Sequence, residues 1–507
     1  MLNFIPKYPQ IPLKITPIFI ITDFSLKVSA LVKQKPRKYN DLTTHFFREV
    51  LFLKKWSFSS EHLIPLSFLG AILIGAILLF LPISTAPGNT TDFLTALFTA
   101  TTSVCVTGLV VVDTYSHWSV FGQVIILILA QIGGLGIITV ASLFMLVTRK
   151  KFSMGQRIIL TDALNLNERS GVLRILVRIM RGTIIVELLG AILYSFSFVP
   201  LLGFPKGLWA AIFNSVSAFC NAGMDIVGPT SMGVFNSNSL VLFTTMALIV
   251  LGGLGYVVWF DLSSGILKGI KKRYSPKLIW KRLSEHTKLV LSLTFILIVL
   301  GAVSILAFEY NNPETLGNMP LSQKIMNSFF ESITLRTAGF ASFSQKSMTD
   351  LSCIMAYILM FIGGSPVGTA GGVKTVTFFL AVLNIVNYIK NDDKDLVFNR
   401  KVSYELMRKA TVIVAVSSFT VVLFTLLLMS TDTSLGVTDA LFEIVSASAT
   451  VGLSRDVTTT LNVAGRIIVI IAMYLGRIGP ISMAIFFAKR KTRNNSVQYI
   501  EGNFYVG

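Results

Sequence analysis

Four glycines, Gly108, Gly223, Gly339 and Gly452, each close a similar eleven-residue phrase: FTATTSVCVTG, FNSVSAFCNAG, FFESITLRTAG and FEIVSASATVG. Each phrase opens on a phenylalanine ten residues before its glycine, and the glycines lie 115, 116 and 113 residues apart. Near-constant spacing on that scale marks an internal repeat. Glycine lets a backbone aim its carbonyl groups through dihedrals that a Cβ resists. Four such turns around one axis would present rings of carbonyl oxygens, which can replace the hydration shell of a potassium ion. The chemistry is therefore coordination by main chain. Its candidates are Val106, Thr107 and Gly108; Asn221, Ala222 and Gly223; Thr337, Ala338 and Gly339; and Thr450, Val451 and Gly452. One glycine after one short helix would be an ordinary C-cap, whereas four in register point to a shared site.

The elements that must hold these turns follow from composition. The chain has 507 residues, 53% hydrophobic and 14% charged, with a mean hydropathy of +0.71. That balance is lipid-facing. Crossing the hydrocarbon takes about 20 apolar residues, and eight stretches qualify, near 63–84, 118–148, 177–202, 238–265, 288–309, 351–388, 410–430 and 463–488. Between each odd span and the next lies a phrase of about a dozen residues, near 92–104, 207–219, 322–335 and 437–448. These are too short to cross, so they enter and leave on one side as half-helices whose negative carboxyl ends aim at the glycine turns. The expected fold is an all-α polytopic membrane protein with four pseudo-repeats of helix, pore half-helix, filter turn and helix around a central pore. The divisions are a basic N-terminal arm at 1–60, repeats at 61–155, 156–275 and 276–400, and a fourth repeat with the C-terminal tail at 401–507.

Lys and Arg gather at 149–157, 268–282, 390–409 and 489–493, while the alternate loops at 82–92, 309–320 and 430–439 are rich in Gly, Pro, Asn, Thr and acids. By the positive-inside rule the first set and both termini are cytoplasmic. The formal charge of +19 is thereby assigned to loops beside an anionic leaflet rather than to nucleic acid. Ten Lys and Arg populate the first 60 residues, whose one apolar run, ITPIFIITDF, is too short to span. The three cysteines, Cys105, Cys220 and Cys353, form no paired framework; the first two occupy equivalent repeat positions and read as packed small residues. The four histidines lack metal-ligand spacing. GTAGGVKT resembles a phosphate-binding loop, but Val373 separates Gly372 from Lys374 where that motif needs Gly, Lys and Ser or Thr in succession. No catalytic pair is present, so no enzyme is expected.

The inner helices differ in their glycines: AQIGGLGII (130–138), VLGGLGYVV (250–258), FIGGSPVGTAGGVKT (361–375) and MYLGRIGPIS (473–482). The third is a poor helix by propensity, and its span should break into two segments joined by a loop within the membrane at 363–373. Arg477, an arginine inside a span, should face a pore or cavity, with a packing bridge to a carboxylate or to carbonyls as the alternative. Glu331 and Arg336 should support the third turn from behind within its half-helix. Lys374 adds a charge near the inner mouth. Asp113 and Asp225 should fall on the outer vestibule.

With SVCVTGL, FCNAGMD, ITLRTAGF followed by GGSPVGTAGGVKT, and SASATVGLS followed by LGRIGP, residues 60–507 resemble the Trk/Ktr/HKT superfamily of potassium transporters, most closely the membrane subunit of bacterial sodium-dependent Ktr systems. The resemblance implies a gate made by the intramembrane loop, here Gly363, Gly364, Gly368, Gly371 and Gly372, with Arg477 projecting toward it. It implies a homodimer in the plasma membrane, surrounded by lipid, with a separate cytosolic nucleotide-binding regulatory subunit. No cofactor is implied in this chain; potassium is the transported ion, with sodium as a candidate activator. Gly108, where related plant sodium carriers often have serine, favours potassium over a sodium or non-selective carrier. The remaining alternative is a non-conducting sensor or scaffold of the same fold.

Overall fold

The computed structural model describes residues 60–136, 139, 142, 172–228, 231–390 and 396–479, all within one compact unit. The arm before residue 60, the basic segments 149–157 and 489–493, the ends of the second and eighth expected spans and the tail lie outside the described residues. Repeat one runs α1 (Ser60–Phe80), α2 (Phe93–Cys105), the single turn α3 (Thr114–His117) and α4 (Val120–Leu135). Repeat two runs α5 (Val172–Leu202), α6 (Phe204–Cys220), α7 (Ser239–Gly253) and α8 (Tyr256–Lys272). A short α9 (Pro276–Arg282) leads to repeat three: α10 (Glu285–Glu309), α11 (Leu321–Thr334), α12 (Asp350–Phe361) and α13 (Thr375–Lys390). A small antiparallel pair, β1 (Leu396–Val397) and β2 (Arg400–Lys401), precedes repeat four: α14 (Tyr404–Thr431), α15 (Val437–Ser448) and α16 (Val463–Ile478).

The outer helices α1, α5, α10 and α14 are the four described helices long and apolar enough to cross a membrane, with mean hydropathies of 2.0 to 2.8 in their most apolar stretches. The half-helices α2, α6, α11 and α15 hold 13, 17, 14 and 12 residues, at most about 25 Å each at a rise of about 1.5 Å per residue. They pack into one hydrophobic core through Phe98, Phe213, Phe330 and Phe442, all at most 1% exposed. In repeat three the buried ring is Phe330. Phe329, which the sequence phrase aligns, is 36% exposed, because that copy is one residue shorter between buried ring and glycine. The inner helices start alike: Ser119, Asn238, Thr349 and Asn462 each accept a hydrogen bond from a first-turn backbone N–H, satisfying a donor that the helix cannot.

The inner spans depart from expectation. Only the third was expected to break, yet the inner span of repeat two is broken as well. Helix α8 starts after Gly255 at φ 86°, and between α7 and α8 the chain turns through 103°; α4 and α16 are capped by Gly136 and Gly479, at φ 85° and 90°. The span read as continuous over 238–265 is therefore two helices. Three residues before these glycines the packing is close: a Cβ at Gly133, Gly252 or Gly476 would overlap the carbonyl oxygen of Val104, Phe219 or Ser448. In these three repeats the inner helix thus lies directly on the end of its own half-helix, an approach only glycine permits.

Candidate functional site: a ring of four turns over a docked loop

At the carboxyl end of each half-helix the residue two before the glycine is left-handed: Val106, Asn221, Thr337 and Thr450 have φ of 56°, 59°, 73° and 52°. The glycines follow at 103°, 65°, 83° and 98°. The helix caps are Val106, Asn221, Leu335 and Ala449, so none of the four glycines is a C-cap. Holding a non-glycine residue left-handed costs about 1–3 kcal/mol, and β-branched Val106, Thr337 and Thr450 are poor candidates for it. Such turns persist because the surroundings determine them.

The four turns meet. A methyl group at Gly108 would sit 2.8 Å from the Ala222 carbonyl oxygen, one at Gly223 2.7 Å from that of Ala338, and one at Gly339 2.5 Å from that of Val451. At Gly452 it would overlap the Thr107 carbonyl oxygen. The contacts run one to two, two to three, three to four and four to one, which closes a ring about a single axis. The eight non-glycine candidates are at most 1% exposed, so their side chains are packed in protein while backbone approaches the axis.

Sequence reasoning missed what holds the turns. Thr102 Oγ1 accepts from the Gly108 N–H at 2.9 Å, Ser217 Oγ from the Met224 N–H at 3.2 Å, and Ser446 Oγ from the Gly452 N–H at 3.0 Å. In repeat three Thr334 instead donates to the Phe340 carbonyl at 2.7 Å. Each hydroxyl stands one helical turn, four residues, after the buried phenylalanine, a signal that the sequence carries once Phe330 replaces Phe329 in the alignment.

The segment between α12 and α13 breaks the third inner span as expected, and it is tied down. Gly363 N–H and Val373 C=O bond at 3.0 Å, closing the base of the loop. The Ser365 and Thr369 N–H groups donate to the carbonyls of Gly253 and Gly252 at 3.0 and 3.1 Å, and the Tyr256 N–H donates to Val367 at 3.1 Å. Backbone groups freed by the break in repeat two are thus satisfied by those freed in repeat three, the condition for irregular chain at membrane depth. Gly368 fits against the Gly252 and Gly253 carbonyls, Gly364 against Ala370, and Gly372 is left-handed at φ 65°. A Cβ at Gly371 would overlap the Thr450 hydroxyl, which puts the loop directly beneath the ring.

Arg477 donates to the Thr369 carbonyl at 2.7 Å and to the Gly133 carbonyl. Arg477 thus reaches the loop and is held by carbonyls of two repeats. Lys374 donates to Ala370 at 2.6 Å. Arg336 lies beyond α11 rather than within the half-helix, and donates to Gly363 at 3.2 Å; Glu331 is buried in α11 with Gln345 beside it. Cys105 and Cys220 are fully buried free thiols that end their half-helices.

Two cavities flank the ring. One of about 640 Å³ is lined by all four glycines together with Asp113, Asp225, Asp456 and Glu314. The other, about 380 Å³, is lined by Gly368, Gly371, Lys374, Tyr256 and Arg477. Carboxylates thus surround one mouth and two cationic side chains the other, with backbone carbonyls between.

This is the architecture of a polytopic α-helical transport protein, not of an enzyme. The chain belongs to the TrkH family of cation transport proteins, which matches residues 60–499, and is of the Trk/Ktr membrane-subunit type. It is 35% identical over 453 residues to the potassium/sodium uptake protein NtpJ of Enterococcus hirae, covering 89% of this chain and 97% of that one. It is 35% identical over 454 residues to the Ktr system potassium uptake protein B of Bacillus subtilis, covering 89% and 98%. The crystal structure of the potassium transporter TrkH from Vibrio parahaemolyticus superposes with a TM-score of 0.67 over 93% of this chain and 96% of that one; at 15% identity it shares the fold.

Proposed function

We propose that this protein takes up potassium across the plasma membrane through the glycine-turn ring, with repeats 61–155, 156–275, 276–400 and 401–507 forming one pathway. The closed ring carries this reading: four backbone turns at one axis match the demand of a dehydrated cation for many oxygen dipoles at once. The half-helix carboxyl ends add a favourable field, and the acidic outer cavity raises the local cation concentration. Val106, Thr107, Asn221, Ala222, Thr337, Ala338, Thr450 and Val451 supply the carbonyls. Termini and basic loops are cytoplasmic. The membrane potential supplies about 2.3 kcal/mol per charge per 100 mV, equivalent to roughly fifty-fold accumulation.

The loop, through Gly363, Gly364, Gly368, Gly371 and Gly372, acts with Arg477 as the gate, because it lies under the ring and a guanidinium there repels a cation. The name of the B. subtilis relative, a protein of a Ktr system, favours a separate regulatory subunit, which we take to be cytosolic and nucleotide-binding, on a homodimer of this chain. The potassium/sodium name of the E. hirae relative favours sodium as activator or second substrate. The test is potassium uptake, with and without external sodium, in cells lacking their own potassium systems, for wild type and Gly108→Ser. Sodium-stimulated rescue that the substitution weakens is the expected result; no rescue with a regulatory partner supplied would make the chain a scaffold.

A further inference from the structure

Helix α8 leaves the break in repeat two at 103° to α7 and carries three distinct faces. One is packed on protein: Val258 and Gly269 are buried, and Gly269 and Gly265 lie against Ile279 of α9 and Leu283 just beyond it. The second is apolar and bare, with Ile266, Leu267 and Ile270 at 46%, 67% and 70% exposed. The third holds Lys268, Lys271 and Lys272, exposed and related by three and four residues, so they share one side. Among the described residues none of these lysines forms a salt bridge. The one acid of α8, Asp261, is engaged elsewhere, accepting from the Ser284 N–H at 2.9 Å and its hydroxyl at 2.8 Å. In the next helix Trp280 is 42% exposed, a residue type that settles at the headgroup level.

A helix with one apolar and one lysine-rich free face, turned nearly square to its neighbouring inner helix, has the form of one that lies in a membrane interface. Acyl chains and anionic headgroups match the two faces at once. The same helix begins at the gate. Its first residue, Tyr256, donates to Val367 of the loop at 3.1 Å, and a Cβ at Gly255 would overlap the Pro366 carbonyl. We propose that anionic lipid headgroups bind along α8 through Lys268, Lys271 and Lys272, and that this binding sets the position of the intramembrane loop through the Gly255–Tyr256 break. The regulatory half of the statement rests on the loop being the gate and on α8 facing the cytoplasmic leaflet.

The test uses the full chain purified in detergent and reconstituted into vesicles of phosphatidylcholine alone or with phosphatidylglycerol. Wild type is compared with K268Q/K271Q/K272Q and with K268R/K271R/K272R, which keeps the charge. Each surface lysine adds about fivefold to association with an anionic surface, so three together reach the order of a hundredfold. The preference for retained phosphatidylglycerol over phosphatidylcholine, read by mass spectrometry of the purified protein, should fall at least about tenfold in the glutamine variant and survive in the arginine variant. Potassium flux should differ between the two vesicle types for wild type and arginine variant, and be equal for the glutamine variant. Equal lipid retention by wild type and glutamine variant overturns the site. Retention that falls while flux still responds to phosphatidylglycerol overturns the coupling to the loop. A wild type that conducts in neither vesicle would count against the transport reading, while lipid retention still decides the binding site.

Discussion

The ring of turns and the inner mouth beneath it are built from the same four repeats to different rules. At the ring the copies share one pattern: each has a left-handed residue, then one more, then glycine, and in each a hydroxyl one turn after a buried phenylalanine secures the turn. Below, equivalence ends. The residue after the glycine of the inner-span motif, Gly133, Gly252, Gly363 and Gly476, is Gly134, Gly253 and Gly364 in three repeats and Arg477 in the fourth, and the third inner span is broken by a loop docked on the second. An ion held on the axis, as proposed, would contact all four backbones at once, so a deviation in any copy would be felt. A block needs a single charge and a single movable segment. On the function proposed above, symmetry marks where the ion is held, and its loss marks where passage is controlled.

The comparison breaks most sharply at the ring. Gly452→Ala places a methyl group on the Thr107 carbonyl at φ 98°; with strain of about 1–3 kcal/mol added to the overlap, potassium uptake should fall on the order of a hundredfold at equal surface expression. Uptake close to wild type would remove Gly452 from the pathway. Next comes the lower half. Arg477→Gln removes charged hydrogen bonds to Thr369 and Gly133, worth about 1.5–3 kcal/mol each, and should raise uptake without the regulatory partner by about 10-fold or more. Deleting 363–373 should act in the same direction; a loss of uptake in both would show that the loop supports the pathway rather than closing it. Gly108→Ser should shift the potassium-to-sodium permeability ratio about tenfold toward sodium, a change of about 1.4 kcal/mol, measured by competing the two ions in flux. Smallest are the hydroxyls: Thr102→Val and Ser446→Ala should each lower stability by about 1 kcal/mol, seen in thermal unfolding, and by similar amounts if the two repeats are equivalent.

Much of this was legible in the chain. The half-helices end within a residue or so of the sequence reading at Cys105, Cys220, Thr334 and Ser448, because composition and length decide what can span a bilayer. The break in the third inner helix was visible in its glycines. The break at Gly255 was not, since apolar residues continue beyond it and hydropathy is blind to a single positive φ. Phe329 misled because two adjacent phenylalanines satisfy one spacing, and only burial separates them.

By itself the sequence determined the repeat number, the four outer helices, the half-helices and the backbone turns, since each is a local matter of apolar length, glycine placement and capping side chains. Tertiary structure decided that the turns close into one ring in the order one to four, and that Arg477 reaches both Thr369 and Gly133. It also decided that the loop of repeat three completes the hydrogen bonds of the break in repeat two. Those contacts join residues more than a hundred positions apart. Their partners are carbonyl oxygens, which every residue carries and which no residue type in the sequence can announce.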